Sequence, residues 1–211
     1  MIVLEPSCAS VFRDELHGLF PDDPLANKLK QQTFLLSEFL QRKAQNWQLP
    51  KMQSPALVQG HCHHKSVLKF DDEKAVLQKL GLDYHLLPSG CCGMAGSFGF
   101  EANKYDVSVE IGERVLLPAV RQASRQTVIV ADGFSCREQI AQATNRQALH
   151  LAEVIQMANQ PKSAISTSGY PESEMVERRQ RVRRKARNRA IFAIAAGAAG
   201  AVLLSKLIKK L

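Results

Sequence analysis

Short apolar runs rich in β-branched residues alternate with helical segments over most of this 211-residue chain, and this alternation constrains the fold more than any other feature. The spacing predicts strands at IVLE, ALVQG, DYHLLPSG and TVIVADG, which are residues 2–5, 56–60, 83–90 and 127–133. Strands that alternate with helices pair in parallel, because each crossover returns the chain to the same end of the sheet. The sequence therefore predicts an α/β domain with a mostly parallel sheet flanked by helices.

Apolar residues at helical spacing predict helices between and after these strands. Pro24 marks the start of the second helix, with Asp22 and Asp23 before it as candidate caps. Gly81 marks the end of the third helix. The predicted helices cover residues 10–20, 24–44, 73–81, 101–123 and 150–158.

All five cysteines come shortly after a predicted strand. The carboxyl ends of parallel strands share one edge of a sheet, and ligands bind at that edge. Cysteine inside a strand or helix usually serves as a small apolar residue, so this placement indicates chemistry rather than packing. We therefore expect one site that gathers Cys8, Cys62, Cys91, Cys92 and Cys136.

Two of these cysteines are adjacent, in the glycine-rich stretch PSGCCGMAGSFGFE at residues 88–101. A disulfide between neighbouring residues closes a strained ring, so a soft metal centre explains the pair better. Glycines let the backbone come close and aim its N–H groups at sulfur. An adjacent pair can offer two thiolates to neighbouring irons, and Gly90, Gly93 and Gly96 are the expected cofactor-binding glycines.

Three motifs in a fixed order carry a resemblance to a known family. GHCHHK, SGCCGMAGSFG and ADGFSCREQI, within residues 60–65, 89–99 and 131–140, resemble the cysteine-rich, CCG-type domain. That domain occurs in heterodisulfide reductases and in the C-terminal iron–sulfur region of FAD-linked D-2-hydroxy-acid oxidases and dehydrogenases. The resemblance covers about residues 2–158. It implies electron transfer from a reduced flavin towards a membrane quinone or another acceptor, with FAD on a partner chain or on a missing domain.

The resemblance also implies a cofactor and its ligands. A [4Fe–4S]-type iron–sulfur cluster would be held by Cys62, Cys91, Cys92 and Cys136, with Cys8 as a fifth candidate. The fuller family pattern ends in C-x-x-C, and this chain departs from it with glycine at position 133. The expected partner is a flavoprotein subunit or domain, and the sequence leaves open whether the chain is a separate subunit or a fragment.

Two other functions stay open. Zinc accepts mixed ligands, and His61, His63 and His64 surround the second cysteine, so the chain could be a zinc-binding structural module for assembly. A metal-free thiol–disulfide redox protein with a reactive Cys91 or Cys92 is the other alternative. We see no Ser–His–Asp arrangement and no carboxylate pair, so we assign no catalytic residue. The chain is interpreted as an oxidoreductase component rather than a complete enzyme.

Charge divides the chain into a mildly acidic body and a basic tail. After Glu177 there are 11 Lys or Arg and no acids, which leaves 17 basic and 20 acidic residues up to that point. An acidic body argues against nucleic acid as a partner. The predicted organisation is a cysteine-rich domain over 1–159, a polar linker over 160–177 and a basic and apolar tail over 178–211.

The tail contains 15 uncharged residues, AIFAIAAGAAGAVLL, fewer than the roughly 20 that a membrane span needs. Arginines before this stretch and lysines after it would favour anionic lipid. We expect a helical tail that contacts a membrane, and the alternatives are a helix that docks on a partner or a disordered end. The first residues, MIVLEPSC, lack a secretory signal pattern, so we expect a cytoplasmic chain, at the inner face of the membrane if the tail binds lipid.

Overall fold

The computed structural model describes residues 1–160 and 169–208, with side chains as far as residue 194. It divides into two compact units, Met1–Ser173 and Glu174–Leu211, which are described separately. Residues 161–168 of the predicted linker lie outside the described residues. Both sheets are purely parallel and are flanked by helices, which confirms the predicted fold class.

The N-terminal part of the first unit is built around a two-stranded sheet. Strand β1 (Ile2–Val3) pairs in parallel with β2 (Phe34–Leu35). The intervening chain forms α1 (Pro6–Ser10), a π-helical turn (Val11–Glu15) and α2 (Leu16–Leu19), followed by α3 (Pro24–Gln32).

The prediction of a single helix over residues 24–44 is wrong in one respect, because the structure has two helices there. Thr33 adopts an extended backbone after α3, and β2 separates that helix from α4 (Leu36–Arg42). Edge pairing with β1 outweighs the helical pattern of the sequence at this point. The predicted start is confirmed, since the Asp23 carboxylate accepts hydrogen bonds from the Leu25 and Ala26 amides at 2.7 and 3.4 Å.

A separate three-stranded sheet, in the order β4–β3–β5, forms the centre of the unit. Its strands are β3 (Pro55–Val58), β4 (Asp83–Leu86) and β5 (Val128–Val130). Helix α5 (Asp71–Leu80) joins β3 to β4 and ends at Gly81 in the left-handed conformation, as predicted. The first predicted strand therefore belongs to a different sheet from the other three, contrary to the expectation of one sheet.

The helix predicted over 101–123 is also divided. Two short 3₁₀ turns (Phe98–Phe100 and Ala102–Lys104) lead into α6 (Tyr105–Glu113), and α7 (Leu116–Gln122) follows after a break. Pro118 explains the break, because proline lacks an amide hydrogen and its ring clashes with the carbonyl four residues earlier. Helices α8 (Phe134–Ala143) and α9 (Leu151–Ala158) complete the layer around β5.

The main core lies between the central sheet and helices α7 and α8. All three residues of β5 are buried, as expected for a strand covered on both faces. Cys92 and Cys136 belong to this core, which also includes residues of the sheet, the glycine-rich loop and the helices. Its buried residues are Leu57, Leu87, Cys92, Met94, Leu116, Leu117, Val120, Ile129, Ala131, Cys136, Ile140 and Ala148. The core thus reaches the edge where the strands end.

The second unit is a single long helix. Helix α10 (Ser173–Ile208) contains the basic run and the uncharged stretch of the predicted tail. Several large apolar side chains on it are exposed, namely Val182, Ile191, Phe192 and Ile194. Within the described residues, no helix has both the length and the apolar character required to cross a bilayer.

Candidate metal centre

Four of the five cysteines lie together at the edge where β3, β4 and β5 end. Cys62 begins the helical turn after β3, Cys91 and Cys92 follow β4, and Cys136 lies in the first turn of α8. Thiol hydrogen bonds link Cys62 to Cys91, Cys91 to Cys92, and Cys92 to Cys136. Cys62 and Cys91 are half-buried, and Cys92 and Cys136 are buried. We call these four residues the thiol rim.

Cys8 differs from the thiol rim in its sheet and in its exposure. It lies in α1, after β1 of the separate two-stranded sheet, and its side chain is exposed. In the described part of the chain, no hydrogen bond joins Cys8 to the other four cysteines. The β1–α1 segment still approaches the rim, because the Glu5 carboxylate accepts a hydrogen bond from the Phe134 amide at 2.6 Å.

The thiol rim combines one strongly acidic thiol with neighbours that hold their protons. Hydrogen bonds from Cys62 and Cys92, together with one from the Gly93 amide at 3.3 Å, lower the pKa of Cys91 to about 2. Hydrogen bonding to Cys91 and burial raise the pKa of Cys62, and hydrogen bonding to Cys136 and Cys91, with burial, raises that of Cys92. Crowded like charges disfavour further ionisation, so a cation would be needed to deprotonate the remaining thiols.

Gly93 is the predicted glycine that the loop requires. Its φ is +97°, and a Cβ atom there would lie 1.9 Å from the Ser108 carbonyl oxygen. The close approach is fixed by hydrogen bonds, because the Ser108 hydroxyl donates to the Gly93 carbonyl and the Gln139 amide donates to Ser108. Gly90 and Gly96 face open space instead, so they impose no such packing constraint.

The ring of His61 fills the space beside Gly133. A Cβ atom at position 133 would lie 2.3 Å from His61 Cδ2, so only glycine fits there with the ring in place. Burial lowers the pKa of His61, which favours the neutral ring. His61, Cys62 and His63 also present ligand atoms within 4.8 Å of one another, with Cys62 Sγ 3.5 Å from His63 Nδ1.

The two cations nearest the cysteines in sequence bind backbone carbonyls. The Lys65 ammonium donates to the Ser89 carbonyl, and the Arg137 guanidinium donates to the carbonyls of Ala131 and Asp132. Both therefore fasten the loops that carry the thiol rim. A cleft of about 210 Å³ opens beside Cys91, with a lining of Pro88, Ser89, Gly90, Cys91, Ile111, Arg114, Val115 and Leu116.

A second group of metal-ligating side chains was not predicted as a unit. His64, Glu73 and Asp132 are all buried, and their ligand atoms lie within 4.8 Å of one another. We call them the buried triad. The sequence signals two of them, because His64 and Asp132 lie in motifs that carry cysteines. It gives no signal for Glu73, which reads as an ordinary acid in the first turn of a helix.

Comparisons with known proteins give distant relatives. The chain is similar to D-2-hydroxyglutarate dehydrogenase of Pseudomonas putida, at 26% identity over 157 residues, which are 74% of this chain and 15% of that protein. The corresponding dehydrogenase of Pantoea ananatis is also 26% identical, over 66% of this chain and 14% of its own length. One subunit of the anaerobic glycerol-3-phosphate dehydrogenase of Escherichia coli is 30% identical over 157 residues, 71% of this chain and 38% of that protein.

The chain thus spans less than two fifths of each of these relatives. No family model and no solved structure matches it. Its distant homologues are proteins named as dehydrogenases or as part of a dehydrogenase, which supports a role related to oxidoreductases.

Proposed function

We propose that this chain carries electrons through an iron–sulfur cluster held by the thiol rim. It would act as a module of an FAD-linked oxidoreductase whose substrate is a 2-hydroxy acid of the lactate, glycolate or 2-hydroxyglutarate type. The observation that carries the proposal is that four cysteines, drawn from three strand ends, are within hydrogen-bonding reach along one rim. The named relatives supply the substrate class.

The residues around the thiol rim fit such a cluster. Four thiols are the donor set that iron–sulfur clusters require, and the Gly93 amide already donates to a rim sulfur. Met94, Leu116 and Ile140 are buried beside Cys92 and Cys136, so they exclude water from the inner half of the rim. When bound, the cluster would supply a one-electron carrier, and its potential would depend on this burial and on the amide.

The outer half of the rim is the proposed entry point for electrons. Cys62 and Cys91 are half-buried, and the cleft beside Cys91 leaves this side open. Phe134, two residues before Cys136, is 48% exposed and offers an apolar contact at the same edge. We propose that a flavoprotein subunit or domain docks here. The relatives are much longer than the matched segment, which is consistent with such a partner.

Matched cysteine variants test the ligand set. The protein is purified without oxygen, and iron and acid-labile sulfide are measured in wild type, Cys62→Ser and Cys8→Ser. We expect Cys62→Ser to lose at least nine tenths of both elements, whereas Cys8→Ser retains them, because Cys8 is exposed on α1. Equal iron in wild type and Cys62→Ser would contradict the proposed ligands.

Zinc is the second candidate, favoured by the ligand atoms of His61, Cys62 and His63 within 4.8 Å. It predicts a colourless protein with one zinc per chain, in which His63→Gln lowers zinc content. A metal-free protein in which Cys91 is alkylated fastest would instead support thiol–disulfide chemistry.

We also propose that α10 lies on a membrane surface. Its arginines between positions 178 and 189 and its exposed apolar side chains give it both charge and hydrophobic area for binding anionic lipid. Sedimentation with phosphatidylserine-containing vesicles tests this contact. Replacing Arg183, Arg184 and Lys185 by glutamine should weaken binding at least tenfold. Equal binding by the variant and the wild type would contradict it.

A further inference from the structure

The buried triad joins three elements, two of which also lead to cysteines of the thiol rim. His64 begins the π-helical turn His64–Leu68, Glu73 lies in the first turn of α5, and Asp132 follows β5. Their exposed fractions are 0%, 1% and 8%. One ligand atom from each lies within 4.8 Å of the other two. The triad thus places one imidazole and two carboxyl groups in a closed space.

Three polar atoms of the triad have no hydrogen-bond partner among the described residues. Both ring nitrogens of His64 and Oε2 of Glu73 are buried without a hydrogen bond in the described part of the chain. The His64 ring packs edge-on against Phe70, with 4.5 Å between centroids, which holds its orientation. Buried polar atoms are nearly always paired with protein, water or an ion. Unpaired buried atoms on two members of such a close cluster therefore indicate a ligand between them.

The charges of the triad are not balanced by neighbouring side chains. Asp132 Oδ1 accepts a hydrogen bond from the Leu151 amide at 2.9 Å and lies 3.6 Å from His150 Nε2. That histidine is already committed, since its Nε2 donates to the Leu4 carbonyl and its Nδ1 accepts from the Ala152 amide.

No lysine or arginine compensates either carboxyl group of the triad. Among the residues that the structure describes, neither Glu73 nor Asp132 forms an ion pair with Lys or Arg. The nearby Arg13 is committed to Glu38, at 2.7 and 2.6 Å. The Ser37 hydroxyl, which lies beside Glu73, carries no charge. Two carboxyl groups and one imidazole thus share a buried space in which no described Lys or Arg side chain pairs with either carboxyl group.

We propose that the buried triad binds a divalent transition ion of the Mn²⁺ or Zn²⁺ type. One nitrogen and two carboxylate oxygens are the donors such ions accept, and their double charge would offset both carboxylates. Ligand atoms about 2.1 Å from an ion lie at most about 4.2 Å apart, so a small inward movement closes the shell. The site contains no sulfur and is distinct from the thiol rim.

A bound ion would tie together the loops that present the thiols. His64 is two residues after Cys62, and Asp132 is four residues before Cys136. The ion would therefore hold the end of β3, the end of β5 and the start of α5 in one arrangement. This role does not rest on the proposed electron transfer, because the thiols are not ligands of this site.

Mn²⁺ is the probe, because it prefers oxygen and nitrogen to thiolate. Metal-free full-length protein is titrated with Mn²⁺, and bound ion is measured from the loss of the free-ion EPR signal. We expect saturation at one ion per chain and, at 100-fold excess over Kd, a Tm increase of about 5–10 °C. Glu73→Gln and His64→Gln should abolish both effects, whereas exposed His85→Gln and Glu110→Gln should retain them.

Two further measurements keep the test decisive. Glu73→Gln replaces a buried acid by an amide of the same shape, so it should fold without metal even if His64→Gln does not. Cys62→Ser should keep Mn²⁺ binding even if it loses iron, which separates this site from the thiol rim. No saturable Mn²⁺ binding by wild type, or binding that survives Glu73→Gln, would overturn the proposal.

Discussion

The thiol rim and the buried triad share two strand ends, those of β3 and β5, yet they have opposite chemistry. Cys62 and His64 are two residues apart in one helical turn, where successive side chains rotate by about 100°, so they point to opposite sides. The rim is soft, half-open and internally hydrogen-bonded. The triad offers nitrogen and oxygen donors in a closed space, and both ring nitrogens of His64 and Oε2 of Glu73 lack a hydrogen-bond partner among the described residues. The contrast teaches that one loop after a parallel strand can contribute to two ligand sites. The rotation between successive side chains of the helical turn decides which site each residue faces.

The largest expected effect comes from a substitution in the loop of the thiol rim, at a position outside the buried triad. In Gly93→Ala the new methyl group would meet the Ser108 carbonyl, which α6 and the Gln139 hydrogen bond hold in place. We expect a loss of about 4 kcal/mol in the free energy of unfolding. Gly96→Ala is the control, because its left-handed backbone has open space around it, and it should cost about 1 kcal/mol. Urea unfolding of both variants measures the difference.

The triad should respond to pH through His64. Burial, opposed in part by Asp132 and Glu38, lowers the pKa of His64 from 6.5 to about 4. His64 therefore binds a proton more readily in the unfolded chain than in the folded one. The contribution of the neutral, buried ring to the free energy of unfolding is complete above pH 6.5 and is lost as the pH falls towards 4. Without metal, the wild type should lose about 2 kcal/mol more than His64→Gln between pH 7 and pH 5. Parallel pH dependences would contradict this burial.

A smaller effect tests the contact of His61 with Gly133. Gly133→Ala should destabilise the protein, because its Cβ would lie 2.3 Å from the ring. The double variant Gly133→Ala with His61→Ala should recover about 1–2 kcal/mol of that loss, as expected for residues in contact. Additive losses in this double-mutant cycle would show that the two positions do not share space.

The smallest effect should come from Cys8→Ser. The side chain is exposed on α1, so the free energy of unfolding should change by less than about 0.5 kcal/mol. Cys136→Ser, in contrast, puts a hydroxyl into the main core and should cost several times more. Thermal unfolding of the two metal-free variants compares them. A Cys8→Ser loss as large as that of Cys136→Ser would contradict the exposed position of Cys8.

The sequence was sufficient to predict the central strands and the loops that follow them. The patterns at 56–60, 83–90 and 127–133 gave β3, β4 and β5, and with them the neighbourhood of four cysteines. Cys8 also follows a strand, but the sequence carries no information on which strands pair. Strand β1 pairs only with β2, a two-residue strand too short for any periodicity to reveal.

The details of the site depended on tertiary contacts. Three glycines near the cysteines looked alike in sequence, and only the approach of Ser108 distinguishes Gly93 from Gly90 and Gly96. The triad was missed because Glu73 is buried by the packing of α5 and not by any local pattern. Local signals locate loops after strands, whereas which side chains meet inside them is decided by the fold.

Iron and acid-labile sulfide in anaerobically purified wild-type protein test the central claim most directly. A brown protein with about four iron atoms and four sulfides per chain, whose colour fades on reduction with dithionite, is the predicted result. A colourless protein free of iron and sulfide, even after reconstitution with ferrous iron and sulfide, would contradict the electron-carrying role of the thiol rim.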